Sequence, residues 1–238
     1  MKSEVRAQSN TVGRLRFFWR GRCSRISGRT PEARSDDNAC REASKQEIIR
    51  RYYKTACLVK QGLSGEEELH KIEVLMRTVN IETDARPVVP AAVQRAELTG
   101  KPAAAIELPD GTVVTGRTSD LLGASSAALL NALKVLAGIP HEVKLISPDV
   151  IRPIQTLKTD YMQSRNPRLH TDERLVALAI CAATDPNAMK AMQKLDALRG
   201  CEVHSTVILS GVDDNVFKRL NVNLTCDPAY ENNNLYHK

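Results

Sequence analysis

Apolar positions recur at helical spacing through the first half of the chain and then compress into short runs split by turns. Ile48, Ile49, Tyr52, Tyr53, Ala56 and Cys57 predict a helix that Asp37 can cap and that runs to about Gln61, where Gly62 stops it. Ser64-Gly-Glu-Glu67 fits a capping box, and Leu69, Ile72, Leu75, Met76 and Val79 form the stripe of a second helix. The short link between them predicts an antiparallel helix pair whose stripes need a partner surface.

Arg86-Pro87 to Pro90 marks a boundary, because closely spaced prolines oppose helix. A helix is expected from Pro90 through Thr99, then a hairpin: Ala103 to Leu108, the turn Pro109-Asp110-Gly111, and Thr112 to Gly116. The segment Ala124 to Ala137 follows. It is apolar on nearly every face, wetted only by Ser125, Ser126, Asn131 and Lys134, so it must be covered on more than one side. Val143 to Ile146 is expected to be a short buried strand. Ser147-Pro148 then starts a helix, and QSRNPRLH (163–170) is a polar loop. Thr171 is expected to cap a helix to Thr184, and Asp185-Pro186 to begin another. Strands at Val203 to Leu209 and Val222 to Thr225 flank a helix capped by Asp213. Strands alternating with helices favour an α/β sandwich, preceded by a helical hairpin. The expected division is 1–35 as a basic extension, 36–86 as a helical subdomain, 87–230 as an α/β sandwich and 231–238 as a loose tail.

Charge changes this picture in one place. The formal charge is +6, but Met1 to Arg34 carries Lys2 and eight arginines against Glu4 and Glu32, about +7. The remainder is near neutral, which removes the electrostatic reason to expect nucleic acid as a partner. Within the extension, Gly13, Gly21, Gly28 and Pro31 interrupt any long amphipathic helix. A disordered or out-of-frame segment is therefore expected over a mitochondrial presequence. No apolar run approaches the ~20 residues of a membrane span. The six cysteines lack C-x-x-C spacing and read as free thiols in a reducing cytoplasm.

The element order after residue 90 resembles the cytidine-deaminase-like fold, a three-layer α/β sandwich with a mixed sheet, if the two helices of 171–198 are treated as an insertion. The stretches REASKQEIIRRYY, IELPDGTVVTG, LLGASSAALLNALK, NPRLHTDE and GCEVHSTVIL carry a second, more specific resemblance. They are similar to the C-terminal half of a bacterial family, domain of unknown function 1846 (UPF0371). The resemblance implies a chain about twice as long, with an N-terminal Gly-rich, Lys-containing phosphate loop that has no counterpart in this sequence. On that reading the chain is a truncated family member, and a possible ligand site is completed by the missing domain.

The deaminase resemblance would require H/C-x-E at the start of the central helix and P-C-x-x-C after the third strand. The sequence offers Leu122-Gly-Ala-Ser125 and Ser147-Pro-Asp-Val-Ile-Arg152 instead, so a zinc-less protein with no metal and no cofactor is expected. An anion or phosphorylated-ligand site in the same place would use Arg117, Thr118, Ser119, Gly123, Ser125, Ser126, Asp149 and Arg152 around a helix N-terminus. The competing reading has the serines as caps and Arg152 paired with Asp149 or Glu173. His170, Asp172 and Glu173 form the densest titratable cluster and are weak candidates for acid–base chemistry. A charged helix start, with Thr171 as cap and Asp172 and Glu173 answering the dipole, is the stronger reading of them. His204, inside a strand, reads as a packed residue. The alternative function is a non-catalytic assembly or oligomerisation module that packs against partner subunits, a homo-oligomer being one possible form.

Overall fold

A computed structural model describes residues 31–231, and the basic extension expected over 1–30 and the tail 232–238 lie outside the described residues. The packing below lies within the unit Arg41–Lys238. Eight α-helices and four strands occur among the described residues. They run α1 (Pro31–Lys60), α2 (Glu66–Thr78), α3 (Val88–Thr99), β1 (Ala103–Glu107), β2 (Val113–Arg117) and α4 (Ala124–Ala137). There follow α5 (Pro148–Thr156), α6 (Thr171–Ala182), α7 (Pro186–Met192), β3 (Glu202–Ser205), α8 (Gly211–Arg219) and β4 (Asn223–Cys226).

The sheet has the order β2-β1-β3-β4, with β1 antiparallel to both neighbours and β3 parallel to β4. It is mixed, as expected. Strand β1 is buried from Ala103 to Ile106, so both its faces are covered. Ala104 and Ile106 join the main core with Ala128, Leu129 and Leu133 of α4. Ala105 packs with Val88 and Ala92 of α3. Successive side chains of a strand point to opposite faces, so α3 and α4 cover opposite sides of the sheet.

Helix α4 is held by close contact and by its few polar residues. A Cβ on Gly116 of β2 would meet the backbone nitrogen of Ala128 at 2.1 Å, so only glycine lets α4 approach the hairpin this closely. Asn131 Nδ2 donates to the Thr115 carbonyl of β2 at 2.9 Å, and Lys134 Nζ donates to the His141 carbonyl at 2.8 Å. Thus the polar positions of an otherwise apolar helix are stitches to its neighbours. Gly138, at φ +65°, ends α4 in the left-handed conformation.

Several local expectations are corrected. Val143 to Ile146 is a loop, not a strand, although Leu145 and Ile146 are buried in the main core. The place beside β1 is taken by β3, and the run pairs with neither edge strand; a short buried run does not by itself specify strand. Helix α1 begins at Pro31 rather than Asp37, a residue suited to a first helical turn. Gly65, not Ser64, is the N-cap of α2, and no side chain caps it. His170 is the N-cap of α6, which frees the Thr171 hydroxyl for another role. Strand β3 ends at Ser205 rather than Leu209. The caps Ser147 and Asp185 are as read, accepting from the amides of Asp149 and Asn187.

The helical pair has its own small core of Ile49, Tyr53, Met76, Ile81 and Val89. A partly buried ionic knot ties it to the sheet. Glu202 of β3 meets Arg50 of α1 at 2.9 Å and the fully buried Arg86 at 2.8 Å. Arg86 Nη2 also donates to the carbonyls of Val203 and Asn223. Burial lowers the Arg86 pKa to about 10, against the opposing pull of Glu202. Among the described residues, no helix is long and apolar enough to cross a membrane.

The Gly116 contact gives a direct test. Gly116→Ala should cost about 3 kcal/mol or more in urea denaturation, because backbone on both sides must move. Gly65→Ala, whose Cβ would enter open space, should cost less than about 1 kcal/mol.

Candidate ligand cleft

The start of α4 forms one wall of a polar cleft of about 1400 Å³. The loop 164–170 and the segment 207–215 form the others, with Tyr230 and Glu231 at the margin. Local bonds set these walls. Ser119 closes a turn with Leu122, its amide donating to the Leu122 carbonyl and its Oγ accepting from the Leu122 amide. Leu122 then bridges Leu169 in parallel, joining the approach to α4 to the 164–170 loop. Lys158, almost fully buried, anchors that loop by donating to the Arg168 carbonyl at 2.7 Å and to Glu173 Oε2 at 2.8 Å.

Asp213 of α8 is the hub of the site. Its Oδ1 accepts from the Thr171 amide at 2.7 Å and from the Thr171 hydroxyl at 2.6 Å. Its Oδ2 accepts from Ser210 Oγ at 2.6 Å and faces His170 Nδ1 at 3.4 Å. Burial pushes the carboxyl pKa up, but the bonds from His170, Ser210 and Thr171 together prevail and hold it at about 2. An ionised carboxylate only accepts, which fixes the protons around it. Thr171 spends its one hydroxyl proton on Asp213, so Ser126 of α4 must donate in the 2.9 Å bond between Ser126 Oγ and Thr171 Oγ1. Ser210 likewise donates to Asp213, leaving its oxygen to accept from the Asp213 amide.

His170 sits where this network meets the cleft. Its amide donates to Glu173 Oε2 at 2.6 Å, which fixes the backbone at the start of α6. The bond to Asp213 raises the imidazole pKa above its ordinary value, and partial burial opposes the rise. With Nδ1 turned to Asp213 and Ser210, Nε2 has no hydrogen-bond partner among the described residues and is not enclosed. Such a ring can hold or transfer a proton at Nε2 while Asp213 orients it.

The sequence candidates divide between this cleft and elsewhere. Thr118, Gly123, Ser125, Ser126 and His170 line it. Arg117, Ser119, Asp149 and Arg152 do not, and Arg117, Asp149 and Arg152 are solvent-exposed. Asp172 is exposed, and Glu173 pairs with Lys158 rather than Arg152. Asp213, Ser210 and Thr171 were not among the candidates, nor were Arg165 and Arg168 of the cleft wall. The expected cap Asp213 is corrected: Ser210 is the N-cap of α8 and accepts from the Asp213 amide, which frees the Asp213 carboxylate to face α6. The S-x-x-D spacing of Ser210 and Asp213 is the signal that could have found the pair. His204 is fully buried against Tyr53 and Thr225 and does not line the cleft. Among the described residues, no group of three His, Cys, Asp or Glu side chains could hold a metal ion.

The two shifted groups imply a pH window. Asp213 is depressed, so its contribution to stability is present above the ordinary 3.8 and is lost as pH falls through about 2. His170 is raised, so its contribution is present below 6.5 and is lost as pH rises through its folded value. Asp213→Asn should therefore lower the His170 pKa in an NMR titration of the ring. It should also destabilise the protein more at pH 5.5 than at pH 8.5; an unchanged His170 titration would contradict the pairing.

Comparison with known proteins places the chain. The family model described as domain of unknown function DUF1846, C-terminal, matches residues 84–236, and the N-terminal model of the same family matches residues 28–80. A UPF0371 protein of Streptococcus thermophilus is 52% identical over 204 residues, covering 86% of this chain and 41% of the relative. UPF0371 proteins of Corynebacterium diphtheriae and Corynebacterium aurimucosum are each 53% identical, over 206 and 207 residues, at the same 86% and 41% coverage. The chain thus spans 41% of the length of these curated relatives. With a family model covering more than half of its residues, the chain belongs to the DUF1846 (UPF0371) family.

Proposed function

We propose that the cleft binds an anionic or phosphorylated small molecule and that His170 supplies a proton to it. The observation that carries this reading is the meeting of His170 Nε2 and the first turn of α4 in one polar cleft. Gly123 offers no side-chain cap, so the amides of that turn are not covered by one. Helix-start amides and an imidazolium both favour negative charge, and Arg165 and Arg168 extend the positive wall. The Arg168 guanidinium pairs with Glu231, which leaves Arg165 the more available of the two.

In this reading, ligand contacts come from Gly123, Ser125, Ser126 and His170, while Asp213 and Thr171 position them. Arg117, Ser119, Asp149 and Arg152 drop out of the contact set. The part of the longer family architecture that lies outside the matched span, to which the resemblance gives a phosphate loop, completes the site. The reading also keeps a zinc-less, deaminase-like three-layer sandwich over 87–230, preceded by a helical unit over 36–86. Support comes from the helix on each face of the sheet and from the division between the two family models after residue 80. The missing third strand at 143–146 is the departure from that fold. Cys57, Cys181, Cys201 and Cys226 form no disulfide with one another, which fits a cytoplasmic setting.

Inorganic phosphate should raise the melting temperature. At a hundredfold excess over Kd the gain is about 2.7 kcal/mol, roughly 5–10 °C for a chain of this size. The shift should be larger at pH 6 than at pH 8.5, because His170 is then protonated. His170→Gln should shrink the shift and abolish its pH dependence, and Ser126→Ala should reduce it. Arg152→Ala should behave as wild type. Equal responses of wild type and His170→Gln would overturn the proposal and leave the assembly-module reading.

A further inference from the structure

Helix α2 buries only Met76, although its stripe also contains Leu69, Ile72, Leu75 and Val79. Leu75 is 45% exposed and Val79 44% exposed. Between α1 and α2 lies a mainly apolar groove of about 460 Å³ lined by Ala43, Ser44, Ile48, Ile72 and Leu75, with Glu47 and Arg51 beside them. Glu47 and Arg51 pair with each other at 3.0 Å, so these charges answer each other and the apolar lining is what remains to be covered.

Sequence divides the molecule at the same place. The helical pair falls within residues 28–80, matched by the family's N-terminal model, and the C-terminal model begins at residue 84, ahead of the sheet. The helical pair and the sheet thus fall under different models of the family. Relatives that share this region at 52–53% identity are much longer, since the matched span is only 41% of their length. Two helices cannot bury an apolar stripe on each other alone, and most helical stability comes from such burial.

We infer that the α1–α2 groove is a domain interface: in the longer relatives it seats polypeptide of the remaining N-terminal domain, through an apolar contact centred on Ile72 and Leu75. This is independent of the ligand cleft, whose lining shares no residue with the groove. The occupant is apolar in chemistry, because the lining offers aliphatic side chains and the charges beside them already satisfy one another.

Cysteine accessibility tests this on whole chains. Leu75→Cys in this protein should be alkylated rapidly by iodoacetamide, as should Ile72→Cys, with mass spectrometry separating these sites from native cysteines. Cysteine at the aligned positions of the full-length Streptococcus thermophilus relative should react at least about tenfold more slowly, since reaction then requires a local opening. That protection should be independent of protein concentration. Equal rates in the two proteins overturn the inference. Protection that disappears on dilution also overturns it, because a second copy rather than the same chain would then be the cover.

Discussion

The closest constraint in this molecule is the backbone contact between Gly116 of β2 and the Ala127–Ala128 peptide of α4. A buried helix normally rests on side chains. Here one residue without a side chain brings two backbones together, and the carboxamide of Asn131 ties the next turn to Thr115. The position of the first turn of α4 follows from that seat. Ser126 then reaches Thr171, and through Thr171 reaches Asp213, so the core contact and the cleft belong to one chain of cause.

Three segments meet at the cleft, and one carboxylate holds them together. Asp213 lies in α8, Thr171 and His170 begin α6, and Ser126 belongs to α4. An isolated carboxylate this buried would prefer to be neutral. Four donors surround it instead, and the result is an ionised group that orders every hydroxyl proton near it and aims an imidazole outward. Burial works in the opposite direction at Arg86, where a guanidinium in the core is weakened as an acceptor of charge and leans on Glu202 and two carbonyls.

Much of this was legible from residues alone. The uniform apolarity of Ala124–Ala137 demands cover, and α4 receives it from the sheet and from α6 and α7. The turn at Pro109-Asp110-Gly111 and the stop at Gly138 are set by local backbone chemistry, and the sequence states local chemistry well. The loop at Val143–Ile146 was not legible, because a short apolar run is buried whether or not an edge is free to pair with it. Nor was the hub: Asp213 and Thr171 stand 42 residues apart, and each carries a satisfactory local reading as a helix cap. Local adequacy concealed a long-range role. Arg117 and Arg152 show the reverse: they flank the start of α4 and of α5 in sequence, and the fold leaves both exposed and outside the cleft lining.

The central claim is that an anion is held where the first turn of α4 faces His170. Phosphate titration followed in the amide proton–nitrogen NMR spectrum tests it most directly. The account predicts that the amides of Ala124, Ser125 and Ser126 move together with the His170 signals and report one dissociation constant. Shifts confined to the surroundings of Arg117 and Arg152, with the α4 start and His170 unmoved, would contradict it.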